Sequence, residues 1–84
     1  MTELTLTVGS TYRAKKPTNS RGLVNDRTIL WIDRLGTVVQ YDGPAVGMGR
    51  HYPKVSSEAF LKWAARDVTD ELPAGEYANW PIKN

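Results

Sequence analysis

The segment TILWIDRLGTVVQY, residues 28–41, is the densest apolar block of the chain and decides its fold. Two runs rich in β-branched and aromatic residues flank the break Asp33-Arg34-Leu35-Gly36. A glycine near the end of a short loop between such runs is typical of a β-hairpin. We therefore predict strands over about residues 27–33 and 37–42, with Asp33 shaping the turn by hydrogen bonding to nearby backbone.

The first hairpin strand is apolar on both faces, with Ile29 and Trp31 on one and Leu30 and Ile32 on the other. A strand of this kind is central, or a helix covers one of its faces. The chain of 84 residues forms one small domain without cysteine, which excludes disulfides and thiolate zinc sites. The core must then rest on aromatic side chains with aliphatic partners, and we expect Trp31 and Trp63 to be buried.

The segment before the hairpin predicts one more strand and a basic loop. Leu4, Leu6 and Val8 alternate with threonines, which is the period of a half-buried strand. Residues 15–22 are rich in turn formers and cations, so we expect an exposed loop there. A further short strand over about residues 50–53 would complete a β-meander over about residues 4–54.

A helix is predicted over about residues 56–68. Ser56 is a good N-cap, and Val55 with Phe60 matches a hydrophobic staple. Phe60, Trp63, Ala64 and Val68 recur at spacings of three and four, so they would share the face that packs on the hairpin. Glu58 and Lys62 can form an i,i+4 pair on the opposite face.

The last segment, residues 69–84, is acidic and then irregular. Tyr77 and Trp80 are spaced aromatics in a polar stretch. They either dock back on the domain or form an exposed anchor for a partner, since aromatics dominate interface hot spots.

Charge is unevenly distributed along the chain. The net charge is +2, but residues 1–54 hold eight lysines and arginines against four acids, and residues 55–84 hold three against five. The basic N-terminal part could bind an anionic partner or attract the acidic C-terminal part. Neither a secretory signal nor a membrane span is visible, so we expect a cytoplasmic protein of a bacterial host cell.

Catalysis is not indicated by the residues present. His51 is the only histidine, and no neighbour in sequence supplies an orienting partner or an activated nucleophile. Asp33 and Asp42 flank the hairpin strands but fit turn positions better than an acid–base pair. Gly47-Met48-Gly49-Arg50 resembles only half of a phosphate loop, because no helix follows it. We predict a protein that is not an enzyme and needs no metal or cofactor.

The basic loop is the best candidate binding site. Its cations could hold a phosphate backbone while Tyr12 stacks on a base. The candidate residues for nucleic-acid or anion binding are Arg13, Lys15, Lys16, Arg21, Arg27 and Arg50.

The order of apolar residues in the chain is that of a recognisable pattern. It reads Gly9-x-x-Tyr12, Arg27-x-Ile29-x-Trp31-Ile32, Val38-Val39-x-Tyr41-Asp42 and Tyr52-Pro53-x-Val55-Ser56-x-x-x-Phe60-x-x-Trp63-Ala64. This pattern resembles small uncharacterised proteins encoded by phages and prophages, over about residues 9–68. The predicted meander is also similar to SH3-like or Tudor-like barrels, and that resemblance implies binding of proteins, peptides or nucleic acids. Neither resemblance transfers a catalytic or binding residue.

Taken together, the sequence predicts a small α+β domain. A strongly bent antiparallel sheet of three to five strands, an SH3-like barrel or a meander, packs against one amphipathic helix, and an irregular C-terminal segment follows. The expected function is that of a non-catalytic, phage-type binding module that contacts a host or phage macromolecule, most simply a protein. Nucleic-acid binding through residues 13–27 and assembly as a homo-oligomer are the alternatives.

Overall fold

The computed structural model describes residues 4–46, 51–73 and 76–82. Within these ranges, seven strands, one α-helix and one 3-10 turn follow each other. In order they are β1 (Thr11–Ala14), β2 (Asn19–Ser20), β3 (Leu23–Val24), β4 (Arg27–Ile32), β5 (Val38–Asp42), β6 (Lys54–Ser56), α1 (Ser57–Trp63), β7 (Ala64–Asp67) and the 3-10 turn (Thr69–Glu71). The predicted α+β class is confirmed.

The main sheet has five antiparallel strands in the order β6-β5-β4-β1-β7. Strands β4, β5 and β6 form a meander, but its third strand lies at Lys54–Ser56 and not at about residues 50–53 as predicted. Helix α1 then carries the chain across the sheet so that β7 pairs with β1 at the far edge. Because β6 and β7 lie at opposite edges and do not pair, the sheet is open, and the barrel alternative is wrong. The pair β2-β3 forms a separate two-stranded hairpin.

The core lies between the sheet and α1. Its buried members are Tyr12, Ile29, Val39, Tyr41, Phe60 and Ala64. The Phe60 ring meets Tyr12 and Tyr41 edge-on at centroid distances of 5.6 and 5.9 Å. Burial of such a ring stabilises the fold by roughly 1.5–3 kcal/mol, so the helix is held to the sheet mainly through Phe60.

The helix begins as predicted and ends earlier. The Ser56 side chain accepts a hydrogen bond from the Ala59 N–H, which confirms the N-cap. The prediction that the helix continues to residue 68 is wrong, because Ala64 has extended backbone and starts β7. Pairing with β1 satisfies the backbone groups of this segment, so a long-range contact overrides helical spacing there. Ala64 and Val68 are nevertheless buried, as the spacing had indicated.

Trp31 is not a core residue. The pairing of β4 with β5 shifts by one position between Ile29 and Trp31, which is the signature of a β-bulge. The shift directs Ile32 toward the core and leaves Trp31 43% and Leu30 39% exposed. The predicted burial of Trp31 is therefore wrong, whereas Trp63 packs against the core.

Residues 4–8 do not form the predicted strand. Both sides of β4 are already occupied by β1 and β5, so this segment lies over the core instead. Leu4 and Leu6 pack against the core cluster, and Val8 is exposed. The buried Tyr12 hydroxyl holds the segment by donating to the Thr5 carbonyl at 2.8 Å and accepting from the Thr7 N–H at 2.8 Å.

The stretch predicted as an exposed loop contains the small hairpin β2-β3. Its two turn residues, Arg21 and Gly22, both have positive φ (55° and 85°), as a type I′ turn requires. The Asn19 side chain accepts the Gly22 N–H at 2.8 Å and closes the turn. The position of Arg21 is thereby fixed by the hairpin.

The C-terminal segment docks on the domain. Its backbone bonds to the small hairpin, with Val24 N–H donating to Ala78 O and Trp80 N–H donating to Gly22 O, each at 2.9 Å. The Tyr77 hydroxyl shares a hydrogen bond of 2.8 Å with Thr28 on the sheet. Within the described residues, Tyr77 and Trp80 thus follow the docking alternative and are partly buried. No helix among those residues has the length and apolarity to cross a bilayer.

Candidate basic and aromatic binding site

Arg13 lies in the interior and not in a basic loop. Its Nε donates to Asp26 Oδ1 and its Nη2 donates to Asp26 Oδ2, both at 3.0 Å. Asp26 is fully buried and Arg13 nearly so. The hydrogen bond to the carboxylate raises the pKa of Arg13 above its ordinary value, although burial acts in the opposite direction. A bidentate, desolvated pair of this kind leaves no charge for a ligand, so Arg13 is excluded from the candidate site.

The backbone at Asp26 is enclosed by Gly43. A Cβ added at Gly43 would lie 2.2 Å from the Asp26 carbonyl oxygen, far inside contact distance. Glycine is therefore required where the chain leaves β5 and passes over the Asn25-Asp26 turn. This close approach fixes the end of the hairpin against the strand that starts with Arg27.

The first candidate surface is a shallow depression of about 260 Å³ that we call the basic groove. It is lined by Ala14, Lys15, Lys16, Lys62 and Trp63. Lys15 is held beside Trp63 because its N–H donates to the Trp63 carbonyl at 2.9 Å, an extension of the β1-β7 pairing. Lys62 also pairs with Glu58 at 3.4 Å, and both side chains are mostly exposed. Such a surface pair contributes only about 0.2–0.5 kcal/mol, so Lys62 remains accessible to an anion.

Arg27 lies over two aromatic rings. Its Cζ is 4.4 Å from the centroid of Tyr41 and 4.1 Å from that of Trp63. Within the part of the chain that the structure describes, its guanidinium has no ion pair and no side-chain hydrogen bond. Burial lowers the pKa of Arg27, while the nearby Tyr41 raises it to a smaller extent. The side chain is still charged at neutral pH, so Arg27 is a positioned cation whose N–H donors can serve a ligand.

The second candidate surface is a cavity of about 500 Å³ that we call the arginine cavity. Its lining residues are Arg21, Arg27, Tyr41, Ala45, Val46, His51 and Pro53. The cations come from the small hairpin and from the start of β4, and the imidazole precedes β6. This cavity therefore lies between the segment that precedes the hairpin of residues 28–41 and the segment that follows it.

The basic groove and the arginine cavity meet at the contact between Trp63 and Arg27. No carboxylate lines either of them in the described ranges. The surface therefore combines positive charge from lysine and arginine with the aromatic ring of Trp63. A protein that binds a polyanion with planar groups needs both features.

A third cavity, of about 470 Å³, has a different chemistry. It is lined by Gly9, Thr11, Thr28, Asp42, Thr69, Leu72, Pro73, Glu76 and Tyr77. The hydroxyls of Thr11, Thr28 and Tyr77 form a chain of hydrogen bonds of 2.7 and 2.8 Å. Burial raises the pKa of Tyr77, and its bond to Thr28 opposes that rise. Hydrogen bonds between the sheet and the C-terminal segment border the cavity, and among the described residues none of the predicted binding cations lines it.

The remaining predicted site residues are placed as follows. Lys15 and Lys16 lie in the basic groove, and Arg21 and Arg27 lie in the arginine cavity. Arg50 and the rest of the Gly47-Met48-Gly49 stretch lie outside the described residues. Tyr12 cannot stack on a base, because its ring is fully buried in the core.

Catalytic geometry is not found around His51. Among the described residues its imidazole makes no side-chain hydrogen bond, so nothing orients it as a base. Asp33 accepts hydrogen bonds from the backbone N–H groups of Thr37 and Val38 at 2.6 and 2.9 Å, which confirms its role in the turn. The searched residues also hold no cluster of acids and histidine that could bind a metal ion.

Sequence reasoning missed Trp63 and Lys62 as members of the candidate surface. Their positions beside Lys15 and Lys16 depend on β7 pairing with β1, and no local sequence pattern predicts that pairing. His51 is also part of this candidate surface, because a histidine between two basic segments is a potential anion ligand. Comparisons of the chain with protein-family models, with curated proteins and with solved structures give no match.

Proposed function

We propose that the protein is a non-catalytic binding module that holds single-stranded nucleic acid across the basic groove and Arg27. The observation that best supports this is the position of Arg27 over Tyr41 and Trp63, between two cavities that no described carboxylate lines. Proteins that bind single strands combine cations along the phosphate backbone with aromatic rings that stack on bases. Lys15, Lys16 and Arg27 supply the first element, and Trp63 supplies the second.

A single strand fits this surface better than a duplex. The α-helix has only seven residues and is packed through Phe60, so it is not a free element that could enter a major groove. The basic groove is small and bordered by lysine stems, which suits one unstacked base beside Trp63. Backbone contacts of this kind are sequence-tolerant and strongly dependent on salt.

The experiment is fluorescence anisotropy of a labelled single-stranded oligonucleotide, with DNA and RNA, at several salt concentrations. We expect affinity to fall steeply between about 50 and 200 mM salt. The variant Lys15→Glu/Lys16→Glu should weaken binding and lower the slope of log K against log salt by about 2, one for each lost phosphate contact.

The matched control is Arg34→Glu/Lys54→Glu, which changes net charge equally at exposed positions outside both cavities. It should bind nearly as well as the parent. An equal loss of oligonucleotide affinity in both double variants would mean that binding comes from non-specific electrostatic attraction. No binding by the parent at low salt would refute the proposed function.

A protein partner is the second candidate. Trp31 is 43% and Tyr52 is 47% exposed, and Lys54 Nζ lies 5.1 Å from the Trp31 ring centroid. An exposed tryptophan on a rigid strand is the kind of residue that anchors protein interfaces. In a pull-down from host lysate, Trp31→Ala would lose such a partner, while Lys15→Glu/Lys16→Glu would retain it.

The other hypotheses from the sequence stay predictions. They are the phage or prophage origin, the SH3-like or Tudor-like relationship, the absence of catalysis, the cytoplasmic location and the homo-oligomeric assembly. Sedimentation at several concentrations tests the last of these, since a strict monomer excludes it.

A further inference from the structure

The arginine cavity differs from the basic groove in how its cations are carried. Arg21 lies on a type I′ turn whose backbone Asn19 closes, and the Arg27 guanidinium is held over two rings. The groove instead offers lysines on long flexible stems. A positioned guanidinium binds an anion with a smaller loss of conformational entropy than a free lysine does.

The donors around the cavity suit a group with several acceptor oxygens. Arg21 and Arg27 carry planar guanidinium groups that bind phosphate through paired N–H donors, and His51 adds a ring nitrogen. A phosphodiester offers two terminal oxygens and one negative charge. A phosphomonoester offers three terminal oxygens and a charge of about −1.5 to −2 at neutral pH, so it gains more from three donor groups that line one cavity.

The volume and the remaining walls admit more than an isolated ion. Ligand pockets usually measure about 300–1,000 Å³ with apolar walls and a few placed polar groups. The cavity of about 500 Å³ falls in this range, and Ala45, Val46 and Pro53 form its apolar wall. A sugar or base attached to the phosphate can therefore lie against that wall.

We propose that the arginine cavity binds a phosphomonoester, such as the terminal phosphate of a nucleic-acid strand. This inference rests on the proposed function for its source of ligand, because a strand in the basic groove reaches the cavity past Trp63 and Arg27. It assigns the end of the strand to the cavity and the internal phosphodiesters to the lysines.

The first arm of the test compares three oligonucleotides of one sequence, with a 5′-phosphate, with a 3′-phosphate and with hydroxyls at both ends. We expect one phosphorylated strand to bind about tenfold more tightly than the hydroxyl strand, as one additional charge-assisted hydrogen bond would give. Arg21→Gln should reduce this ratio to about one, and Arg34→Gln should leave it unchanged. Equal affinity for all three strands would overturn the assignment of the strand end while leaving single-strand binding intact.

The second arm uses the single histidine as a probe and does not depend on strand binding. The imidazole NMR signals of His51 should shift on titration with a nucleoside 5′-monophosphate, more weakly with inorganic phosphate, and not with the nucleoside. Shifts without any affinity for oligonucleotides would refute the proposed function and support the phosphate site for a free nucleotide. Unchanged signals together with equal strand affinities would overturn the inference.

Discussion

Arg13 and Arg27 occupy adjacent paired strands of one sheet and have different surroundings. Arg13 is buried, and its Nε and Nη2 both donate to the buried Asp26 carboxylate. Arg27 stands at the rim of the core, where aromatic rings fix it and no described acid neutralises it. Positive charge in a sequence is therefore not a binding signal by itself. The partner that the fold supplies decides whether an arginine stabilises the protein or recognises a ligand.

The largest effect on stability is expected when the substitution of arginine by methionine, made at both positions, falls on Arg13. Arg13→Met leaves the Asp26 carboxylate buried and unpaired, and we expect a loss of about 3–5 kcal/mol in the free energy of unfolding. Urea denaturation followed by tryptophan fluorescence measures it. Arg13→Met/Asp26→Asn, which removes the unpaired charge, should recover part of the loss. A parent-like Arg13→Met would show that the pair is not a closed structural element.

Gly43→Ala tests the backbone that closes the region around Asp26. The added Cβ would collide with the Asp26 carbonyl, so the two segments must separate. We expect a destabilisation of about 1–3 kcal/mol, the usual cost of overpacking. Gly36→Asn is the control, since Gly36 has φ of 72° in open space and asparagine tolerates that conformation. Equal stability of the Gly43→Ala variant and the parent would contradict the close approach.

Arg27→Met is the same substitution at the arginine that lies over the aromatic rings, and it is compared with Arg13→Met. Methionine keeps apolar contact with Tyr41 and Trp63 and removes the cation–π attraction, which is worth about 0.5–1 kcal/mol at such a site. We therefore expect a small change in unfolding free energy and a large loss of oligonucleotide affinity. A loss of stability as large as that of Arg13→Met would make Arg27 structural and remove it from the binding surface.

Trp31→Ala and Trp63→Ala sharpen the contrast between an exposed ring and one packed on the core. Because Trp31 is 43% exposed, its loss should cost about 1 kcal/mol or less. Trp63 packs at 5.2 Å from Phe60 and against Arg27, so its loss should cost clearly more. Thermal melts of the two variants measure the difference, and the reverse order would contradict the bulge in β4.

Asp33→Asn has the smallest expected effect, and the size of that effect depends on pH. The backbone hydrogen bond from Val38 lowers the pKa of Asp33 most, desolvation opposes it, and further hydrogen bonds from Thr37 and Gly36 add to the lowering. A depressed pKa in the folded state gives stability that is present above the unfolded value of about 3.9 and is lost as pH falls through the folded value. Asp33→Asn should lower the melting temperature slightly at pH 7 and flatten its decline below about pH 4. An unchanged acid limb would show that the turn does not depend on this carboxylate.

Local patterns predicted the parts of the fold that depend on few neighbours. The turn at Asp33 and the N-cap at Ser56 need only groups within a few residues of themselves. The type I′ turn at Arg21-Gly22 was also local, but its flanking strands are only two residues long, so the polar composition concealed them. In the candidate site, the lysines and Arg27 were predictable as cations and their surroundings were not.

The sequence by itself determined the α+β class, the central hairpin, the start of the helix and a supply of cations in the front half of the chain. Only the tertiary structure decided that the helix ends at Trp63, that Arg13 is buried with Asp26 and Trp31 exposed, and that Lys15 lies beside Trp63. The physical reason is distance along the chain. Turns and caps are satisfied by neighbouring residues, whereas the pairing of β1 with β7 and the ion pair of Arg13 with Asp26 join residues that meet only in the folded protein.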